Sequence, residues 1–125
     1  MADLESVHRA KTGALITAAF TMGGIAAGGD RAAVAALTDA GASLGLAFQI
    51  ADDVLDATAS SQVLGKTAGH DAALSKSTYA SVLGVVPARQ RGDALVADAM
   101  ARLDAAGLRT PPLERLVRFV AARRS

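Results

Sequence analysis

The stretch that decides the fold is RAAVAALTDAGASLGLAFQIADDVLDA, residues 31–57. Alanine, the best helix former, is its commonest residue, so the stretch favours one α-helix. Asp30 directly precedes it and is a residue type that commonly caps a helix N-terminus. A helix of about 27 residues exceeds the usual globular length and is expected to cross the whole molecule. We therefore predict a helix over Arg31–Ala57 at the centre of the fold.

The composition points to one all-α domain over residues 1–125. A chain of 125 residues with 51% hydrophobic side chains is long enough to bury one modest core, and it is too apolar to be disordered. It has 30 alanines, 12 glycines and no tryptophan. Strands favour β-branched and aromatic residues, so a β-sandwich is disfavoured. Alanine and glycine instead predict helices whose backbones approach closely.

Charge and cysteine content exclude several classes of function. The net charge of +1 gives no overall field to recruit nucleic acid or an anionic membrane. The absence of cysteine excludes disulfides, thiolate zinc sites and cysteine nucleophiles, and it is consistent with a cytoplasmic protein. Residues 12–29 carry no charge, but they are rich in Ala, Gly and Thr, so we expect a buried helix there and no membrane span.

The remaining elements follow from capping and breaking residues. Glycines from Gly23 onward are expected to end a first helix, and prolines suit the first turns of the last two. Thr58–Ala68 has the composition of a loop. The predicted helices are Leu4–Met22, a short one from Asp71, Thr78–Leu83, Pro87–Gly107 and Leu113–Arg123.

Four polar side chains form a stripe on the central helix. Gln49, Asp52, Asp53 and Asp56 occupy positions i, i+3, i+4 and i+7, which share one face about 100° wide. The rest of the circumference is apolar, so we expect these groups to line a cavity. Helix propensity, like-charge repulsion and the dipole of a helix ending near Ala57 each oppose the arrangement by about 0.2 to 1 kcal/mol.

Such a cluster is tolerable where a hard cation sits, and oxygen ligands with water suit Mg²⁺ bridging a phosphorylated substrate. A solvated acidic patch is the alternative. A glycosidase-type acid and base pair is disfavoured, since two carboxylates one turn apart leave no opposing face for a sugar. The three lysines of the chain, Lys11, Lys66 and Lys76, are expected partners for diphosphate oxygens.

Four segments resemble the trans-isoprenyl diphosphate synthases, the polyprenyl synthetase family. GLAFQIADDVLD (45–56), LGKTAGHD (64–71) and KSTY (76–79) are similar to the family's second aspartate-rich region. HRAKTGALI (8–16) is similar to its upstream Lys-Thr segment. The segments occur in the family's order and spacing, and the similarity extends more loosely to the C-terminus.

The resemblance implies the C-terminal half of an isoprenoid-synthase-type helical bundle. It also implies a magnesium-dependent prenyltransferase of the farnesyl or geranylgeranyl type, which joins an allylic diphosphate to isopentenyl diphosphate in isoprenoid biosynthesis. The residue roles that it implies are Asp52, Asp53 and Asp56 for Mg²⁺; Lys11, Lys66 and Lys76 for the diphosphate; Lys11, Thr12 and Gln49 near the reacting carbon; and Asp71 as a support behind these contacts.

The family has two aspartate-rich motifs on facing helices, and this sequence has one. It is therefore expected to be a fragment of a prenyltransferase without normal turnover of its own, or alternatively a non-catalytic subunit that pairs with a chain supplying the first motif. A terpene cyclase shares the fold but is disfavoured by the Gly65-Lys66-x-x-Gly69-x-Asp71 run. Half a cavity exposes apolar faces, so self-association or a partner chain is expected.

Overall fold

The computed structural model describes residues 9–64 and 78–122, and the part it describes contains helices and no strand. The all-α prediction is confirmed. A π-helical turn, Arg9–Gly13, leads directly into the first α-helix. The α-helices are α1 (Ala14–Ala26), α2 (Arg31–Leu64), α3 (Tyr79–Leu83), α4 (Val85–Ala105) and α5 (Pro111–Ala121).

The central helix α2 is longer than its sequence predicted. Its start at Arg31 is confirmed, and Asp30 Oδ1 accepts the backbone N–H of Ala33 at 2.8 Å. The predicted end at Ala57 is wrong, because the helix continues to Leu64 through a segment predicted as a loop. This segment is polar but holds no glycine or proline, and the hydroxyl of Thr58 donates to the carbonyl of Val54 inside the helix. The aspartates therefore lie outside the last turn, where the helix dipole would oppose them.

The first helix ends at Ala26, four residues beyond its predicted end. The expectation that this helix is buried is wrong, because Leu15, Met22 and Ile25 are exposed. Gly23 and Gly24 lie inside it, and the chain turns at Gly28, which has a φ of 74°. The N–H of Gly29 bonds to the carbonyl of Gly24, and that of Gly28 bonds to Ile25, which is the Schellman pattern. The first five residues of the predicted helix, 4–8, lie outside the described part of the chain.

The later helices begin close to their predicted positions. Thr78 caps α3 through a capping box with Ser81, as the predicted helix Thr78–Leu83 requires. Pro87 lies in the first turn of α4, and Pro111 opens α5. The helix predicted from Asp71 falls mostly on residues 65–77, which the structure does not describe.

Helix α1 and the π-helical turn before it pack antiparallel to α2. The backbones approach closely at three points along their length, and a glycine lies at each point. A Cβ added to Gly24 would lie 2.7 Å from Leu37 Cδ1, and one added to Gly41 would lie 2.9 Å from Phe20 Cβ. At the third point, a Cβ added to Gly45 would lie 2.7 Å from the Cα of Gly13. The hydroxyls of Thr21 and Thr38 join the same face at 2.7 Å. The two backbones are thus as close as their side chains allow.

Helix α4 covers the opposite side of α2 and completes two adjoining cores. The first contains buried Ile50, Val54 and Tyr79, and the second contains Leu44, Leu103 and Val117 of α5. The apolar residues predicted to surround the acidic stripe are buried at Leu44, Leu46, Ala47, Ile50 and Val54, and half-buried at Phe48 and Leu55.

Within the described residues, one stretch is long and apolar enough to cross a membrane by length and composition alone. It is residues 31–59 of α2, of which the most apolar window is 44% buried in the fold. The central helix of a soluble bundle meets the same criterion, so this is weak support for a span.

The glycine contact predicts a specific sensitivity at Gly45. We expect Gly45→Ala to lower the free energy of unfolding by about 1 to 3 kcal/mol, because its methyl group would overlap the backbone of Gly13. Gly23→Ala is the matched control, since nothing lies within 4 Å of its added Cβ and alanine favours the helix by up to about 1 kcal/mol. Urea denaturation followed by circular dichroism measures both. Equal stabilities of the two variants would contradict the contact.

Helix α5 is held by Glu114, which accepts hydrogen bonds from Arg109 and from Arg118. These two guanidinium groups, Arg109 first, lower the pKa of Glu114 from 4.5 to about 2. A carboxylate with a lowered pKa contributes stability above its unfolded pKa and loses it as the pH falls through the folded one.

We therefore expect Glu114→Gln to melt below the wild type at pH 7, with the difference shrinking between pH 4.5 and about pH 2. Asp104→Asn is the control, because Asp104 contacts Arg109 only at 4.0 Å. Thermal melts across this pH range give the comparison. A difference that is constant with pH would exclude the carboxylate charge as its cause.

Candidate functional site

The acidic stripe lies on a helix whose opposite face is buried at Leu46, Ala47, Ile50 and Val54. Gln49 is 4% exposed, Asp52 and Asp53 are half-buried, and Asp56 is exposed. The side chains of the stripe therefore become more exposed along α2, from Gln49 in the interior to Asp56 at the surface. Half-buried carboxylates on a core helix are costly unless a cation or a donor compensates them. This gradient of burial distinguishes the stripe from a fully solvated acidic patch.

The π-helical turn carrying Lys11 and Thr12 packs against the same face of α2 as the stripe. Its last residue, Gly13, touches Gly45, and Gln49 lies one helical turn beyond Gly45 on that face. Because α1 and α2 are antiparallel, the residues before Gly13 lie toward Gln49. Thr12 is half-buried there. The fold thus brings two sequence-predicted site segments, 37 residues apart in the chain (12 to 49), to one place.

A hydrogen bond stabilises the junction between the π-helical turn and α1, which lies against Gly45 of α2. The hydroxyl of Thr17 donates to the carbonyl of Gly13 at 2.8 Å. This carbonyl lies where the π-helical turn passes into α1, and π-helical turns occur frequently at functional sites.

Asp53 is tied to the start of α3. Its Oδ2 accepts the backbone N–H of Tyr79 at 3.1 Å. Tyr79 is fully buried beside Ile50 and Val54, so this bond joins the stripe to the first core.

Several predicted site residues lie beyond what the structure describes. These are Lys66, Asp71 and Lys76, together with the side chain of Lys11, whose backbone belongs to the π-helical turn. Their assignments to the diphosphate, and that of Asp71 as a support, stay predictions.

The side chains of the stripe offer oxygen atoms, which are the type of ligand that Mg²⁺ prefers. Mg²⁺ is commonly held by one or two carboxylates, with waters and substrate phosphates completing six oxygen ligands. Across the described residues, no three Asp, Glu, His or Cys side chains come together closely enough to hold one ion. A pair of aspartates from the stripe fits this coordination, with the remaining ligands coming from water and a diphosphate.

An open apolar groove lies beside the same junction. It has a volume of about 370 Å³ and is lined by Gly13, Ala14, Thr17, Ala18 and Ala42. Ala42 precedes Gln49 by seven residues, about 10 Å along the axis of α2. The small side chains leave room there for a hydrocarbon group.

Sequence reasoning missed three parts of this site. The Gly41-x-x-x-Gly45 spacing was a usable signal, because small residues four apart let helices approach closely. The bond from Thr17 to Gly13 and that from Tyr79 to Asp53 had no such signal, since each depends on a backbone geometry that the sequence pattern does not specify.

Comparison with known proteins identifies the family of this chain. The family model described as polyprenyl synthetase matches residues 1–105, which include every candidate site residue. The chain belongs to the polyprenyl synthetase family. Its all-α fold is that expected for this family, as the sequence predicted.

The similar proteins are diphosphate synthases. The chain is 42% identical over 124 residues to farnesyl diphosphate synthase of Escherichia coli (strain K12), covering 96% of this chain and 42% of that protein. It is 38% identical over 122 residues to geranylgeranyl pyrophosphate synthase 4 of Arabidopsis thaliana, covering 97% and 33%. It thus spans less than half the length of these curated relatives.

Proposed function

We propose that this chain carries the second aspartate-rich half-site of a farnesyl- or geranylgeranyl-type prenyltransferase of isoprenoid biosynthesis, which binds the diphosphate of an allylic substrate through Mg²⁺. The observation that carries the proposal is the packing of the Lys11–Thr12 turn, through Gly13 and Gly45, onto the face of α2 that bears the aspartates. The named activities of the relatives supply the reaction class.

The residues have distinct tasks in this proposal. Asp52, Asp53 and Asp56 offer carboxylate oxygens for Mg²⁺, which when bound neutralises charge on the departing diphosphate. Lys11, Lys66 and Lys76 bind the diphosphate oxygens that remain, and Asp71 supports them. Near the allylic carbon, the hydroxyl of Thr12 and the amide oxygen of Gln49 stabilise developing positive charge. The hydrocarbon chain lies in the apolar groove.

The reaction joins two substrates, and the chain carries one aspartate-rich motif. As the allylic carbon–oxygen bond breaks, diphosphate leaves with the bonding electrons. The double bond of isopentenyl diphosphate then forms the new carbon–carbon bond, and a proton is lost. The Lys, Arg and His groups that bind this second substrate in the family, like the first motif, have no counterpart in this sequence, so we expect no turnover from this chain alone. The lack of cysteine is consistent with a cytoplasmic location.

Removal of the two adjacent carboxylates of the stripe tests the metal assignment. We expect Asp52→Asn with Asp53→Asn to abolish Mg²⁺-dependent binding of inorganic pyrophosphate, measured by isothermal titration calorimetry with and without MgCl₂. Asp39→Asn is the control on the same helix, because Asp39 is exposed and contacts Arg102 of α4 instead. Such a surface pair contributes about 0 to 1 kcal/mol. Unchanged pyrophosphate binding in the double variant would refute the assignment.

A second observation supports the alternative in which the chain is a non-catalytic subunit. Helix α1 exposes Leu15, Met22 and Ile25, each more than 60% accessible, at positions i, i+7 and i+10 of one face. An apolar stripe of this kind is typical of a surface that another chain covers. In this alternative, a second copy or a chain with the first motif lies on it.

We expect the wild type to self-associate through this face, and Leu15→Glu with Met22→Glu to shift it toward monomer. Phe119→Glu is the matched control, because Phe119 is equally exposed, at 67%, but lies on α5. Light scattering over a concentration series measures the mass of each. A wild type that stays monomeric and binds no hydrophobic dye would contradict the expectation.

A further inference from the structure

Phe119 is the exposed aromatic residue of this chain. It is 67% accessible on α5, whereas Tyr79 is fully buried and Phe20 and Phe48 are half-buried. Leu116, three residues before Phe119, is also exposed and is its neighbour on the helix surface. Helix α5 packs on the second core through its fully buried Val117 instead. The outward side of α5 therefore presents an apolar surface that the fold itself does not use.

Basic residues are concentrated in the same part of the sequence. Residues 108–125 contain five arginines and one glutamate, which is a net charge of +4. Residues 1–107 contain eight basic and eleven acidic residues, which is a net charge of −3. The overall charge of +1 is therefore the sum of a basic C-terminal segment and an acidic remainder. Such an asymmetry is typical of a chain whose basic part meets an anionic surface.

Two of these arginines lie beside the apolar pair on α5. Arg115 is exposed and lies one helical turn before Phe119 on the same face. Arg118 donates to Glu114, and its side chain is still 70% accessible. Exposed apolar side chains with arginines beside them are typical of helices that lie in a membrane interface, where the apolar groups enter the lipid and the arginines meet anionic head groups. A nucleic acid would match the arginines but would leave the apolar pair in water.

The position of α5 in the fold favours such a contact. Its Val117 packs with Leu44 in the second core, and Leu44 lies about 140° around α2 from Gln49. The acidic stripe therefore lies on the side of α2 that faces away from α5. A negatively charged surface can approach α5 without meeting the repulsion of the stripe's aspartates.

We propose that the outward face of α5, formed by Leu116, Phe119, Arg115 and Arg118, docks this chain on the surface of an anionic lipid bilayer. The helix lies in the plane of the interface and does not cross the membrane. Leu116 and Phe119 insert between the lipids, and the two arginines pair with anionic head groups. The inference is independent of the proposed function, because it uses no group of the acidic stripe.

Vesicle sedimentation of the full chain, without Mg²⁺ or pyrophosphate, tests the proposal. The vesicles are phosphatidylcholine alone or phosphatidylcholine with about 30% phosphatidylserine, and only the second kind has an anionic surface. Each binding curve is measured at about 0.1 M and about 0.5 M NaCl, since salt screens the arginines. The variants are Phe119→Glu and Arg115→Gln. Val86→Glu is the matched control, because Val86 is 64% accessible but lies on α4.

We expect the wild type to bind the phosphatidylserine vesicles more tightly than phosphatidylcholine alone, and to bind them less tightly at the higher salt concentration. Phe119→Glu is expected to weaken this binding by about tenfold or more, because it removes the largest inserted side chain. Arg115→Gln is expected to weaken it about fivefold, which is the share of one basic residue near an anionic surface. Val86→Glu adds the same charge as Phe119→Glu and is expected to bind like the wild type.

Several results would overturn the proposal. A wild type that binds neither kind of vesicle, or both equally, has no anionic lipid surface as its partner. A Phe119→Glu variant that binds like the wild type would mean that the arginines adsorb without insertion of the apolar pair. A Val86→Glu variant that loses as much binding as Phe119→Glu would assign the effect to net charge instead of to α5.

Light scattering without lipid distinguishes a second occupant of the same face. If Phe119→Glu lowers the mass of the wild type in solution, a second copy of the chain covers α5 and the lipid proposal is wrong. Circular dichroism checks that each variant is folded. If Phe119→Glu does not fold, Arg115→Gln decides, because Arg115 is exposed and its unchanged vesicle binding would also contradict the proposal.

Discussion

The contact between Gly13 and Gly45 is the constraint on which the candidate site depends. It is the last of three close approaches between α1 and α2, and a side chain at either position would separate the two backbones. This contact also sets the position of the π-helical turn along the axis of α2, and therefore determines which residues of the turn lie near Gln49. The site thus depends on two residues that have no functional group of their own.

The position of the acidic stripe within α2 lowers the electrostatic cost of its charges. Because α2 continues eight residues beyond Asp56, the aspartates are clear of the unsatisfied carbonyls at the helix C-terminus. In the segment that continues the helix, the hydroxyl of Thr58 donates a hydrogen bond to the carbonyl of Val54, so this polar side chain has a partner. The graded burial from Gln49 to Asp56 then leaves a charged end near solvent and an uncharged amide near the core.

The sequence predicted the helices where capping or breaking residues marked their limits. Asp30, Thr78 and Pro111 each occur at or next to the start of a helix, because their backbone or side-chain chemistry acts within a few residues. The predictions at Met22 and Ala57 were wrong, because glycines in α1 serve packing and the polar residues after Ala57 are compatible with a helix. Composition alone does not distinguish these uses.

The sequence by itself determined the all-α class and the stripe of Gln49, Asp52, Asp53 and Asp56, because helical period and local residue types depend on neighbours in the chain. The family followed from the similarity of whole segments to known proteins. Only the tertiary structure decided that the Lys11–Thr12 turn joins the stripe and that Asp53 faces the start of α3. The bond from Tyr79 to Asp53 spans 26 residues, and no local pattern specifies which backbone group meets a side chain at that separation. The packing of the helices brings the N–H of Tyr79 and the carboxylate of Asp53 together.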